Sequence, residues 1–246
     1  MIHLKNKTIL ITGASSGIGR ATAVLCSQAG ASLILSGRNE NELKKTQALL
    51  GNSSTTLIAD LTSEAEITKL IEQVPSLDGF VHCAGIINPV PIKFLKAKHI
   101  TEIFSINFSS AVLLSSALLT NKKLNNSASV VFISSISATH PYIGGAMYTS
   151  SKAALEAFSR GFALEAAAKK IRVNTVAPAL VRTKILDLSE HVYSKEELEQ
   201  IENQYPLGIG EPEDVANMIL FLLSDAAKWI TGTTIPMEGG LLLNTK

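Results

Sequence analysis

Cysteine is scarce in this chain: Cys26 and Cys83 are the only two in 246 residues. Both sit among apolar or small neighbours, which suits buried thiols in a reducing compartment and argues against a disulfide scaffold. An excess of one charge is also lacking. The 22 basic and 21 acidic side chains leave a net charge of +1, so no electrostatic footprint for nucleic acid or for an anionic membrane is present. No segment is expected to stay apolar over the ~20 residues of a membrane span, and the opening MIHLKNKTILITG carries no signal-peptide pattern. Repeats, low-complexity tracts and interdomain linkers are missing as well. These absences leave a soluble cytoplasmic protein as the expectation. At 246 residues and 46% hydrophobic, the chain can bury a full core in one domain spanning residues 1–246.

What is present is an alternation. TILITG, ASLILSG, TTLIAD, GFVHCAG, SVVFISS, IRVNTVAP and GTTIPME are apolar runs of strand length. They are apolar on nearly every residue, so both faces of the sheet they form should be covered. Between them, segments 17–29, 62–73, 99–120, 147–168 and 212–223 are long enough for crossover helices and carry Ala, Leu and Ile at three- and four-residue spacing. The expected fold is α/β, a Rossmann-type doubly wound parallel sheet of seven strands. One long polar interruption, KILDLSEHVYSKEELEQIENQYP at 184–206, would overhang the carboxyl ends of the strands. It reads either as a substrate lid or as a plain surface insertion.

The first strand enters the first helix through TGASSGIGRA, with Gly13, Gly17 and Gly19. Glycines there permit a sharp turn and close approach of a pyrophosphate, and the helix N-terminus behind them supplies free N–H groups. A dinucleotide fits. At the end of the second strand a carboxylate would bind the ribose of NAD, yet the chain has Gly37 followed by Arg38. A guanidinium there can grip the 2′-phosphate of NADP, or Arg38 can be an ordinary solvated loop residue. At the end of the third strand, Asp60 can accept from an adenine amino group, or Asp60 or Thr62 can cap the next helix.

Tyr148 and Lys152, in YTSSK, stand four residues apart on one helical face. A nearby ammonium favours a phenolate and lowers its pKa, which makes the pair a tuned acid/base. SVVFISS brings Ser134 and Ser135 to the same edge of the sheet, where a hydroxyl can orient a carbonyl oxygen. His82 and Cys83 are strand neighbours facing opposite ways, so no metal or nucleophilic pair is expected from them.

TGASSGIG, the serine and YTSSK, in this order, identify the chain as resembling the short-chain dehydrogenase/reductase family along essentially its whole length. The resemblance implies a catalytic tetrad of Asn107, Ser135, Tyr148 and Lys152. Tyr148 would be the general acid/base and Lys152 its pKa modulator and ribose contact. Ser135 would polarise the substrate oxygen, and Asn107 would support a proton-relay water. Asn107 bonded to backbone within its helix, or Ser134 facing the site, are the open alternatives. The resemblance also implies a cofactor site made of Gly13, Ser15, Ser16, Gly17, Ile18, Gly19, Arg38, Asp60, Leu61, Ala84, Gly85, Tyr148, Lys152, Pro178, Val181 and Thr183, with no metal. NADP(H) is favoured and NAD(H) possible. The chain departs from the family pattern at His82 and Cys83, where two asparagines are usual, at Ala179 for glycine, and at Glu238 for aspartate.

The ending YPLGIGEPEDVANMILFLLSD with WITGTTIPMEGG is most similar to the family's 3-oxoacyl-(acyl-carrier-protein) reductases. This implies reduction of a 3-oxoacyl thioester, carried on an acyl carrier protein or CoA. A sugar, polyol or other small ketone is the rival substrate class, and a non-catalytic NADP(H)-binding regulator the rival of another kind. Lys122, Lys123, Lys169 and Lys170 can receive an acidic carrier or can simply be solvated helix ends. A homotetramer or homodimer through the helices at 99–120 and 147–168 and the closing strand is what the resemblance implies.

Overall fold

The structure, a computed structural model, describes residues 2–51, 53–183 and 200–243. Its seven strands coincide with the seven apolar runs: β1 (Thr8–Thr12), β2 (Ser32–Gly37), β3 (Ser54–Ile58), β4 (Leu77–His82), β5 (Leu124–Ile133), β6 (Arg172–Pro178) and β7 (Thr234–Met237). They form one parallel sheet in the order β3-β2-β1-β4-β5-β6-β7. The helices are α1 (Gly17–Gln28), α2 (Glu40–Gln47), α3 (Glu64–Gln73), α4 (Ala97–Phe104), α5 (Ser110–Thr120), α6 (Ala146–Ala166) and α7 (Pro212–Leu223). Most of the expected lid, residues 184–199, lies outside the described residues.

Two cores explain why the strands read apolar on successive residues. Leu10, Phe80, Val130, Phe132 and Val173 point to one face, where they meet Ile67 of α3, Leu114 of α5 and Phe162 of α6. Ile9, Ile11, Val81, Val131 and Val176 point to the other, against Cys26 of α1, Leu43 of α2 and Ile219 of α7. Side chains alternate across a strand, so each strand feeds both layers.

Helix α2 was not among the five expected crossover helices, because it buries only Leu43 and Thr46. Polar contacts hold it instead. Asn39 caps it by accepting from the Glu42 N–H at 3.1 Å, and Arg20 of α1 reaches Thr46 at 3.0 Å and Glu42 at 2.8 Å. The expectation that no segment is apolar enough to span a membrane also needs correction. Residues 97–120 run as a 24-residue helical stretch that meets the criterion by length and composition. In the fold this stretch lies on the sheet, with Ile103, Ala111, Leu114 and Leu118 buried. A π-helical turn at Ser105–Ser109 divides it into α4 and α5.

The order of strands reverses beside β1, which pairs with β2 on one side and β4 on the other. Connections leave in opposite directions there, so a crevice opens above the ends of β1 and β4. His82, paired in register with Thr12, closes its floor. The imidazole is enclosed, with Nδ1 3.0 Å from Thr12 Oγ1 and Nε2 3.3 Å from Ser110 Oγ. Ser110 donates its only proton to the Ile106 carbonyl at 2.6 Å, so it accepts from Nε2–H, which assigns the neutral Nε2 tautomer.

Burial pushes the His82 pKa down to about 3, with the Lys152 ammonium adding to the effect. An unfolded histidine titrates near ~6.5. Between those two values the unfolded chain holds a proton that the native one does not, so stability present above the upper value is lost progressively as pH falls towards the lower. Urea midpoints measured from pH 8 to pH 4 are therefore expected to fall more steeply for the wild type than for His82→Asn. Parallel curves would show that His82 does not stay neutral in the native state.

Candidate active site

The carboxyl end of β5 and the first turns of α6 meet beside the crevice and deliver the reactive side chains. Lys152 is only 5% exposed, and its Nζ donates to the Ile133 carbonyl at 2.8 Å. It lies 5.7 Å from the centre of the Tyr148 ring. Burial lowers the ammonium pKa to about 8, while the Cys83 thiol works weakly in the other direction. The Tyr148 hydroxyl moves the opposite way from the sequence expectation. Burial raises its pKa, and the opposing influence is a hydrogen bond with Ser135 rather than the lysine charge. A phenol in a poorly solvated site resists ionisation, so Tyr148 holds its proton at neutral pH.

The two serines at the end of β5 separate clearly. Ser134 donates to Glu156 of α6 at 2.8 Å and so faces the helix. Ser135 faces Tyr148; its hydroxyl oxygen accepts from the Ser137 N–H at 3.2 Å, and it donates to the Ser137 hydroxyl at 3.0 Å. Asn107, fully buried in the π-helical turn, uses its carboxamide as a clamp. Its Oδ1 accepts from the Ile86 N–H at 2.8 Å, and its Nδ2 donates to the Ile86 carbonyl at 2.9 Å and to Ser151 at 3.2 Å. Ser151 in turn donates to the Tyr148 carbonyl at 2.7 Å. The backbone-bonding alternative for Asn107 thus describes its side chain, across to β4's extension rather than within its own helix. A Cβ added at Gly85 would lie 3.3 Å from Asn107 Oδ1 and 3.4 Å from Lys152 Nζ. Glycine there leaves a small polar space between the two, of the kind that suits a water.

The glycine turn has the shape that a pyrophosphate needs. Gly13 and Gly17 have φ of +65° and +49°, and a Cβ on Gly13 would stand 2.8 Å from the Ala84 nitrogen. A Cβ on Gly19 would lie 2.2 Å from the Gly13 carbonyl oxygen, so this turn of α1 can press on the strand only as glycine. Ser16 at the N-cap of α1 makes no side-chain cap, and the first turn carries no acid. The helix amides are therefore free of a competing side chain, as an anion site requires. Arg20 holds the Ser15 carbonyl at 2.5 Å and fixes the outer wall. A cavity of about 400 Å³ beside this turn is lined by Ser16, Gly17, Arg20 and Thr183 and, further out, by Leu25, Leu49 and Glu213. The glycine turn with its uncapped amides fits a dinucleotide phosphate.

The remaining expected cofactor residues lie at the carboxyl ends of β1, β2, β3, β4 and β6 and in the segments that follow them. Ser15 Oγ lies against the position a Gly37 Cβ would take, and Arg38 is exposed at the end of β2. Arg38 is near enough to Asp60 to act on its charge. Neither Asp60 nor Thr62 caps α3: Ser63 does, accepting from the Glu66 N–H at 3.4 Å. Asp60 instead accepts from the Thr62 N–H at 2.9 Å and hydroxyl at 2.8 Å, and these bonds hold its carboxyl below the usual range. Leu61 and Ile18 commit their side chains to the hydrophobic cores. Pro178 ends β6, Val181 bridges to Gly210, and Thr183 lies over Gly17. Ala179 donates its N–H to the Met237 carbonyl at 2.8 Å in place of any special turn.

His82, from which no pair with Cys83 was expected, takes a structural role of its own. His82 ties β4 to Thr12 and to Ser110, while Cys83 packs among the hydrophobic residues of the other face, its thiol pKa pushed up to about 12 by burial. Partners 70 and 28 residues away leave no local trace in sequence. Ser137 was also missed, although its place two residues beyond Ser135 is the local signal of a serine turn. Among the described residues, no group of three His, Cys, Asp or Glu side chains is placed to hold a metal ion.

The chain is similar to known proteins along nearly its whole length. A family profile described as enoyl-(acyl carrier protein) reductase matches residues 13–242. A 3-oxoacyl-[acyl-carrier-protein] reductase of Rickettsia felis is 37% identical over 244 residues, covering 99% of this chain and 100% of that one. The enzyme of the same name from Escherichia coli is 32% identical, covering 98% and 100%. Among solved structures, a short-chain dehydrogenase/reductase of the glucose/ribitol dehydrogenase type from Brucella melitensis superposes with a TM-score of 0.91 at 30% identity, covering 98% of each chain. A short-chain type dehydrogenase/reductase from Mycobacterium ulcerans gives 0.88 at 32%, covering 98% and 92%.

The depressed ammonium pKa can be read directly. With lysines labelled at the ε-carbon, the NMR signal absent from Lys152→Met is expected to titrate near pH 8 in the ligand-free protein. Surface lysines should titrate near ~10.4. A Lys152 midpoint among the surface values would mean that burial does not act on it.

Proposed function

Because the chain belongs to the short-chain dehydrogenase/reductase family and is a nicotinamide-dependent oxidoreductase, we propose that it reduces the 3-keto group of an acyl thioester to a secondary alcohol with NADPH. The convergence of Ser135, Tyr148 and Lys152 on one edge of the crevice carries the reading. Full-length similarity to 3-oxoacyl-[acyl-carrier-protein] reductases supports the substrate class.

The nicotinamide, when bound, supplies the hydride that the carbonyl carbon receives. Tyr148 gives its proton to the carbonyl oxygen, and its raised pKa favours this donor role over a resting phenolate. Ser135, held by the Ser137 N–H, would turn its hydroxyl proton from Ser137 to the same oxygen as negative charge develops there. Lys152 contributes a buried positive charge beside the resulting phenolate and would hold the nicotinamide ribose. Asn107 acts one step back: its clamp on Ile86 and Ser151 fixes β4's extension against α6. A water in the space beside Gly85 would connect Asn107 and Lys152 as a proton relay. Gly13, Ser16, Gly17 and Gly19 would hold the pyrophosphate, with Ala84 and Gly85 beneath the ribose and Pro178, Val181 and Thr183 around the nicotinamide.

Preference for NADPH rests on Gly37 and the exposed Arg38, which offer a cation where an NAD-selective site offers a carboxylate. A second reading, oxidation or reduction of a sugar or polyol, is supported by the likeness to the glucose/ribitol dehydrogenase type of structure. The free thiols Cys26 and Cys83 suit a cytoplasmic protein. Assembly into a homotetramer or homodimer is supported by the exposed Leu113 of α5 and Leu164 of α6.

NADPH oxidation with an acetoacetyl thioester tests the reaction. Tyr148→Phe is expected to lower kcat at least ~100-fold while NADPH binding persists. Turnover of a polyol with NAD and none of the thioester would move the protein to the second reading. For the cofactor, Arg38→Leu is expected to raise the KM for NADPH about tenfold and so erode its advantage over NADH. An unchanged ratio would remove Arg38 from the site.

A further inference from the structure

Between β4 and α4 the chain builds a pocket of about 450 Å³ lined by Val90, Lys93, Phe94, Leu95, Lys96, Lys98 and His99. Four of these seven side chains are basic, and no acidic residue occurs in the sequence between Asp78 and Glu102. Among the described residues, none of the three lysines pairs with a carboxylate. Glu102, the nearest acid in the chain, is one turn further along α4 and receives Asn88 at 3.5 Å.

The placement of these cations conflicts with local stability. They crowd the N-terminus of α4, the positive end of the helix dipole, where acids stabilise and lysines cost. Lys96 occupies the N-cap without a side-chain cap, and the first turn carries no acid. His99 Nδ1 accepts from the Lys96 N–H at 3.2 Å, so the proton of the neutral ring resides on Nε2, leaving a donor free. A bound anion would relieve the mutual repulsion of the lysines, which the His99 bond to the Lys96 N–H does not. A local rule broken in this way is typical of functional positions.

The pocket is tied to the active site by two routes. Val90 donates its N–H to the Gly144 carbonyl at 2.9 Å, in the turn that leads into α6 and Tyr148. Along the other route, nine residues of helix separate Lys98 from Asn107, about 14 Å at 1.5 Å per residue. A pantetheine arm has thirteen bonds from phosphorus to sulfur. At three bonds per residue-length of extended chain, it reaches roughly 15 Å.

Resting on the thioester reading above, we propose that Lys93, Lys96, Lys98 and His99 form a subsite for the phosphate of a phosphopantetheine arm, at the outer end of the acyl thioester substrate. Phe94, 59% exposed beneath Lys93, with the ammonium 4.9 Å from its ring centre, offers the arm's gem-dimethyl group an apolar surface. The subsite reads the phosphate, so the arm is recognised whether it comes from a carrier protein or from CoA.

The test compares KM for acetoacetyl-pantetheine, acetoacetyl-4′-phosphopantetheine and acetoacetyl-CoA with NADPH. The wild type is expected to favour both phosphorylated thioesters by about tenfold. The double variant Lys96→Gln/Lys98→Gln should close that gap, and Lys98→Glu should close it further, with kcat following Tyr148 rather than the pocket. Equal KM values for the three thioesters in the wild type, or a gap that survives in both variants, would overturn the phosphate subsite and leave the thioester reading intact. Absence of turnover with all three, while NADPH still binds, would overturn that reading and this subsite with it.

Discussion

A buried ammonium organises the centre of this protein. Lys152 has been taken out of water at the junction of β5 and α6, where desolvation of a charge costs several kcal/mol. Part of the cost is offset by the Ile133 carbonyl, and part is avoided by a pKa that falls to about 8. The surroundings are shaped by the same charge. It helps to keep His82 neutral, and it faces the space left by the missing Cβ of Gly85. A charge so placed needs rigid neighbours, because a shift of any of them would leave it without a partner in a poorly solvated interior.

That rigidity comes from polar clamps between elements that are distant in sequence. Asn107 holds the chain just beyond β4 through both backbone groups of Ile86, and Ser151 links the same carboxamide to the turn of helix that carries Tyr148. His82 fastens β4 to the last residue of β1 and to α5. The crevice floor and the acid/base helix are thus parts of one hydrogen-bonded frame.

The stretch from Ala97 to Thr120 shows how one segment serves three ends. Its composition would suit a lipid interior, yet its apolar side chains cover the sheet. The π-helical turn inside it presents Asn107 to the site. Its first turn gathers basic side chains that line an open pocket.

The seven strands and five of the helices were legible because a sheet buried on both faces writes continuous apolar runs, and crossover helices write a period of 3.6. Helix α2 escaped because it is held by Arg20 and Asn39 and offers only Leu43 and Thr46 to the core. The glycine turn, Ser135, Tyr148 and Lys152 were legible as well, since turn geometry and an i,i+4 pair are local properties. Tertiary structure alone decided the choice of Ser135 over Ser134, the upward shift of Tyr148, and the identity of the α3 cap. It also decided the role of His82. Each of these depends on which groups are desolvated and which atoms from remote segments lie within 3.5 Å, and a one-dimensional pattern carries neither quantity.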